Sequence, residues 1–370
     1  MRGADRHSPP VRVCFVVPSM HYGGAERWTL DLARHCDPLR VAWTGAIIVH
    51  SQWVDRRMLG ALSALMPVFH DSTIWERGQR RLRVDLDAAA EHLLGPADAV
   101  ITWEVDEDIR SLVDRAGIPV VNVAHRHDEE SLTRHLNRSD NLVTVWSSCR
   151  GTFGGDNAGR VAIIPNGIDL NRCYPLRGRA AMRRLWGCGD ATIIVGYLGR
   201  IDAQKNCGAI ALAVQGLDDG VGGVIVGSWT SRAAEVESTV RELVGDRVHL
   251  CPPVEDIGSA LAAIDVFMLP SASEVCSLSL LEAWAAGVPV VATRVGAVPD
   301  LEAEYGPLVV PVEPTADSAA LAAAVRHATS GSVELEAMRR RAADLVHQRF
   351  NVLRMGRAWD EYLVGHFSTV

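Results

Sequence analysis

The chain has 370 residues, 48% apolar and 22% charged, which is too long for one compact core and suits two globular domains. No apolar run approaches the ~18 residues that span a bilayer, and a net charge of −8 disfavours general nucleic-acid binding, which calls for a basic face. Eight scattered cysteines without a CxxC pair exclude a disulfide framework or zinc ribbon and predict reduced, buried thiols in a cytoplasmic chain. Arg2, Asp5 and Arg6 lead straight into VRVCFVVP, which is too short and too interrupted for a signal-peptide core.

Short β-rich runs alternate with helical stretches from end to end, the pattern of α/β units with parallel sheets. Val11–Val17 is the first strand; the loop PSMHYGG and the helix GGAERWTLDLARHC follow, with Ala25, Trp28, Leu32 and Cys36 on one helical face. Further strands in the first half are Val41–Val49, Ala99–Trp103, Val120–Val123, Leu142–Val145 and Val161–Ile164. Helices are expected over Trp53–Leu65, Leu86–Leu94 and Asp108–Ala116. A proline-, glycine- and arginine-rich stretch, Asn171–Asp190, breaks the rhythm and reads as the domain junction. A second series then begins: Ile193–Leu198, Gly223–Val226, Val248–Cys251, Val266–Leu269, Val288–Ala292 and Leu308–Val310, before a helical, arginine-rich tail. The expected organisation is therefore an N-terminal domain over 1–180, a C-terminal domain over 181–349, and a last helix, 350–370, crossing back to the first. Open α/β sheets bind ligands at the carboxyl ends of their strands, so a cleft between the two domains is the expected site.

Three segments have the residue types that chemistry needs. Gly23 and Gly24 at a fresh helix start let a backbone approach a ligand and offer N–H groups to an anion, although an ordinary strand-to-helix turn explains a lone GG equally well. No GxGxxG follows the strand, which disfavours a nicotinamide-dependent dehydrogenase. In GRIDAQKN, Arg200 and Lys205 set two cations after a strand end, where a diphosphate would lie. Of 37 basic residues Lys205 alone is lysine, so arginine bias explains the rest of the chain but not this position. SEVCSLSLLEAWAAGVPVVAT places Glu274 on a loop, a helix start at Ser277, Leu278 and Ser279, and Glu282 eight positions after Glu274. One short segment thus presents two carboxylates for hydroxyls and free amides for a phosphate.

GGAER, PNGID, GRIDAQKN and the E-x7-E of Glu274 and Glu282 followed by AGVPVVAT, in that order, resemble a retaining glycosyltransferase of family 4. The resemblance covers nearly the whole chain and is weakest between Ser51 and Ile118. It implies the GT-B fold, two Rossmann-like domains with an interdomain cleft. It further implies that Arg200 and Lys205 grip the donor diphosphate, Glu274 bonds donor-sugar hydroxyls and Glu282 the nucleotide ribose. By the same resemblance the amides of Ser277, Leu278 and Ser279 face the phosphates, His125 lies near the reaction centre, and Gly23 and Gly24 belong to the loop that closes on the donor. The loop Pro252–Asp256, with Val254, would frame the base. Val275-Cys276 replaces the glycine-containing sequence usual after the first glutamate, and Trp229 stands where a glycine is common.

Other signals weigh less. Asp106 and Asp108 have a DxD spacing that a metal-dependent enzyme would use, but they stand where a helix begins and acidic residues suit its dipole. His125 and His127 form an HxH without further ligands, so no metal site is expected. WERGQRRLR (Trp75–Arg83) is a basic, partly amphipathic run, either a solvated face or a contact to an anionic membrane or acceptor. The expected function is metal- and cofactor-independent transfer of a sugar from a nucleoside diphosphate, UDP before GDP, to a hydroxyl acceptor that is a small molecule, glycan or lipid. A nucleotide-sugar epimerase and a non-catalytic nucleotide-sugar-binding subunit are the open alternatives.

Overall fold

Apolar runs without alternation become strands buried on both faces, as parallel sheets covered by helices require. The computed structural model describes residues 9–50, 52–103, 106–125, 141–147, 161–188, 193–228 and 233–368. These fall into two units, Met1–Gly167 with Val352–Val370, and Ile168–Asn351.

The first unit holds β1 (Val11–Val17), β2 (Val41–Ile48), β3 (Val68–His70), β4 (Thr73–Glu76), β5 (Gln79–Arg83), β6 (Ala99–Thr102), β7 (Val120–Ala124), β8 (Asn141–Thr144) and β9 (Val161–Ile163). They form one sheet in the order β5-β4-β3-β2-β1-β6-β7-β8-β9. Only β3–β4 and β4–β5 pair antiparallel; the remaining pairs are parallel. Cys14, Val16, Ile47, Phe69, Ile74, Val100 and Ile109 pack into one core with the helix Leu86–Leu93. The hairpin of β4 and β5 occupies the run expected to be a basic amphipathic stretch: Arg77 and Gly78 both take positive φ, which turns the chain there. The helix expected over Trp53–Leu65 is shorter, Arg56–Ser63, because the Asp55 side chain accepts from the Arg57 and Met58 amides and so fixes its start.

The second unit repeats the plan with β10 (Ile193–Leu198), β11 (Val221–Val226), β12 (Val248–Cys251), β13 (Val266–Leu269), β14 (Val290–Ala292) and β15 (Val310–Pro311). Their order is β12-β11-β10-β13-β14-β15, all parallel. Each sheet thus reverses direction beside its first strand, and that reversal leaves a crevice at the strands' carboxyl ends.

The unit boundary lies at Gly167/Ile168, ahead of the expected 180/181. The proline-rich stretch is part of the second unit: the Arg177 amide donates to Ser259 Oγ at 2.6 Å, and Arg183 reaches the Ala263 carbonyl at 2.9 Å and the Asp265 carboxylate. Its arginines serve as partners for buried acceptors, which composition alone does not reveal. Val352–Val370 belongs to the first unit. There Trp359 meets Trp28 edge-on at 5.5 Å, and Asp360 accepts the Asp37 amide at 3.1 Å. The seven described cysteines are buried and none forms a disulfide among the described residues. Cys149, His127 and Trp229 lie outside the described residues. No helix among the described residues is long and apolar enough to cross a membrane.

Candidate functional site

In the second unit, β10 ends at Leu198 and delivers Arg200 and Lys205; its neighbour β13 ends at Leu269 and delivers Glu274. Two loops therefore meet at the reversal point of the sheet. Lys205 Nζ donates to Glu274 Oε1 at 2.6 Å, and Ser271 Oγ donates to the same oxygen at 2.7 Å. The Lys205 and Glu274 side chains are only 15% and 9% exposed, so the ammonium is an ion-pair partner, not a solvated loop charge. Gln204 Nε2 donates to the Ser273 carbonyl at 2.9 Å, and the Ala272 amide to the Gln204 carbonyl at 2.8 Å, lacing the loops together. Arg200 lies 3.4 Å from Asp202, is half-buried, and has its carbonyl held by the buried Tyr197 hydroxyl at 2.9 Å. Burial pushes that phenol well above its ordinary range, so it stays a neutral donor.

The loop bearing Glu274 is fixed from behind by Gly296, which sits at φ 62°. A Cβ there would stand 2.5 Å from the Val275 carbonyl oxygen, so only glycine lets the two backbones approach. Val275 and Cys276 are buried and line an apolar cavity with Leu280, Trp284 and Leu301. The departure from the family sequence at these positions is thus absorbed as core packing. Ser277 then caps the helix Leu278–Ala285, its Oγ accepting from the Leu280 amide at 3.4 Å and meeting Ser279 Oγ at 3.2 Å. The first amides of this helix, Leu278 and Ser279 among them, have no intrahelical acceptor and suit an anion.

Glu282, one turn further, is buried with its Oε1 3.3 Å from Arg172 Nη1. Arg172 comes from the short 3-10 helix Leu170–Cys173 that follows PNGID. Reading the sequence missed this arginine and Ser271; the quoted PNGID motif was the available signal for the former. Val254 is half-buried on the loop after β12, where Asp256 Oδ1 accepts from the Ser259 amide at 3.0 Å to start the next helix.

In the first unit the predicted residues also gather at carboxyl ends of strands. Gly23 precedes the helix Gly24–His35, and Gly24 is exposed. Glu26 is buried beneath the turn, accepting from Ser19 Oγ at 2.7 Å and lying 3.1 Å from His21 Nε2. A Cβ on Gly23 would come within 2.2 Å of the Glu26 carboxylate. His125 follows β7, packs edge-on against Trp28 at 4.9 Å, and has a buried Nε2 without a hydrogen-bond partner among the described residues. Desolvation lowers its pKa to about 3, so the imidazole is neutral near pH 7.

Asp106 is the N-cap of the helix Glu107–Ala116, its Oδ1 accepting from the Ile109 amide at 2.9 Å. Its other oxygen bonds His50. His50, Asp106 and Asp108 bring ligand atoms within 4.8 Å of one another, a convergence that the DxD spacing alone did not indicate.

Residues 192–330 match the family model described as glycosyl transferases group 1. The chain is 30% identical over 289 residues to a GDP-mannose-dependent alpha-mannosyltransferase of Mycolicibacterium smegmatis, covering 76% of this chain and 69% of that protein. It is 30% identical over 187 residues to a D-inositol 3-phosphate glycosyltransferase of Mycobacteroides abscessus, covering 48% of this chain and 40% of the relative. The matched segment thus spans about two fifths of that curated relative's length. The fold is similar to that of Anabaena HepE in complex with UDP and glucose, with a TM-score of 0.78 at 20% identity over 96% of this chain and 100% of the other.

Proposed function

The chain belongs to the group 1 glycosyl transferases, and from that membership we propose that it moves a sugar from a nucleoside diphosphate to a hydroxyl acceptor with retention at the anomeric carbon. One observation carries the reading: the low-exposure Lys205–Glu274 pair, 2.6 Å apart, sits at the sheet's reversal point directly before a capped helix start. A cation, a carboxylate and free amides in one place match a diphosphate joined to a polyol.

The acceptor oxygen attacks the anomeric carbon from the face that the diphosphate leaves. The bond from that carbon to the β-phosphate oxygen breaks, and the acceptor's proton passes to the departing phosphate. Charge therefore builds on the diphosphate, where Arg200, Lys205 and the Leu278 and Ser279 amides oppose it. Glu274 orients sugar hydroxyls and holds Lys205 in place; Glu282 with Arg172 receives the ribose. In this mechanism His125, neutral, donates or accepts a hydrogen bond without carrying charge. Neither metal nor cofactor enters a step.

UDP is proposed as the carrier, supported by HepE, which has the same fold and binds UDP and glucose. The relative named for GDP-mannose favours GDP as a second reading. The test is a panel of UDP- and GDP-sugars scored for thermal stabilisation and slow hydrolysis. A ligand at about 100 times its Kd adds about 2.7 kcal/mol to stability. Stabilisation by one base class, with hydrolysis, supports the proposal; no response to any nucleotide sugar overturns it. Isomerised donor without acceptor would reassign the site to epimerisation.

A further inference from the structure

Arg200 and Lys205 are the two cations set against the leaving diphosphate, and each already has a carboxylate beside it. Lys205 Nζ is 2.6 Å from Glu274 Oε1, and Arg200 Nη2 is 3.4 Å from Asp202 Oδ2. Glu274 has a further task in the proposed mechanism, orienting sugar hydroxyls; Asp202 has none. Asp202 lies on the loop that follows β10, with its side chain only 17% exposed. Its other oxygen, Oδ1, accepts the Lys205 amide at 3.0 Å. One carboxylate therefore meets both members of the cationic pair, the Arg200 guanidinium through one oxygen and the Lys205 main chain through the other. The Arg200 carbonyl has a separate anchor in the buried Tyr197 hydroxyl at 2.9 Å.

An aspartate that accepts a nearby amide is an ordinary turn device, and asparagine or serine serves the same purpose without charge. A charge of low exposure, placed against a cation that has to meet an anion, exceeds what the turn requires. We propose that Asp202 is a positioning residue for the nucleoside diphosphate: it holds Arg200 and Lys205 in place, and its charge limits how tightly the diphosphate is gripped. The physical reason is that a fixed carboxylate repels the phosphates while it occupies the guanidinium that attracts them. Grip that is equal before and in the transition state adds nothing to turnover and delays release of the spent diphosphate. The inference rests on the donor-site reading given above.

The experiment is calorimetric titration of the full chain with free UDP and, in parallel, free GDP. The wild type should bind at least one of them. Asp202→Asn keeps an oxygen for the Lys205 amide and removes the charge. It should bind that diphosphate about tenfold more tightly, the scale of one unit charge acting across a partly exposed site, and the gain should shrink at high salt. Asp202→Ser, a second neutral variant that offers a hydroxyl to the same amide, should shift affinity in the same direction and replaces the first if that one does not fold. Melting curves without ligand report folding. Asp202→Ala removes the oxygen as well, and its kcat should fall about tenfold below that of Asp202→Asn, because the Lys205 amide loses its acceptor. A turn-only aspartate predicts no gain in affinity. Binding by the folded neutral variants no tighter than that of the wild type would overturn the proposal, as would equal kcat in Asp202→Asn and Asp202→Ala; wild-type binding in those cases leaves the donor-site reading standing. A wild type that binds neither diphosphate would overturn that reading and the proposal together.

Discussion

Lys205 and Glu274 are joined at 2.6 Å with little solvent exposure, so each substitution should disturb both residues. Two unit charges about 4 Å apart attract by about 4 kcal/mol at an effective dielectric of about 20; desolvation of both groups offsets part of this. Lys205→Ala removes the cation facing the developing diphosphate and leaves Glu274 with the Ser271 hydroxyl. It should lower kcat by about 10²–10³-fold, or about 3–4 kcal/mol, and weaken donor binding less. Glu274→Ala should cost turnover on a similar scale, because it removes the sugar contact and frees the ammonium. If the residues acted independently, the double variant would lose about 6–8 kcal/mol. Their contact predicts a loss of about 4–6 kcal/mol, a coupling of about 2 kcal/mol. Lys205→Arg keeps the charge but not the compact head and should rescue only in part. Steady-state kinetics on the four forms with saturating acceptor, alongside melting curves, measure the cycle. Near-wild-type kcat in Lys205→Ala, or additivity within about 0.5 kcal/mol, would refute the coupled pair.

Glu282→Ala should weaken binding of the sugar-free nucleoside diphosphate, seen by calorimetry, by about tenfold or more, since it also strips Arg172 of a buried partner. His125→Ala should reduce transfer by about 10²-fold with diphosphate binding near normal, measured by turnover against calorimetric affinity. The same histidine is held neutral down to about pH 3, whereas the unfolded chain protonates near 6.5. Below 6.5 the unfolded state therefore binds more protons, and stability falls with pH by up to about 1.4 kcal/mol per unit; His125→Ala should flatten that slope in denaturant titrations. Transfer should survive excess EDTA in an activity assay. Loss that Mn²⁺ or Mg²⁺ restores would instead point to His50, Asp106 and Asp108.

The periodicity of apolar residues was enough to place most strands within a residue or two, because strands buried on both faces leave uninterrupted apolar runs. The helix start near Asp106 and Asp108 was legible too, since acidic residues suit the start of a helix dipole, whereas the capping contact of Asp106 itself is seen in the fold. The ordered motifs also singled out Lys205, Glu274 and Glu282 one by one. Folding alone decided how they pair. Lys205 joins Glu274 across 69 positions and Arg172 joins Glu282 across 110, contacts that exist only once β10 lies beside β13 and the 3-10 helix packs against the helix Leu278–Ala285. The same holds for the meeting of His50 with Asp106 and for the hairpin of β4 and β5, where two left-handed turn residues overrode an amphipathic pattern. Local sequence sets which residues have chemistry to offer; distant backbone packing sets which of them touch, because contact over that range depends on sheet order and not on any nearby residue.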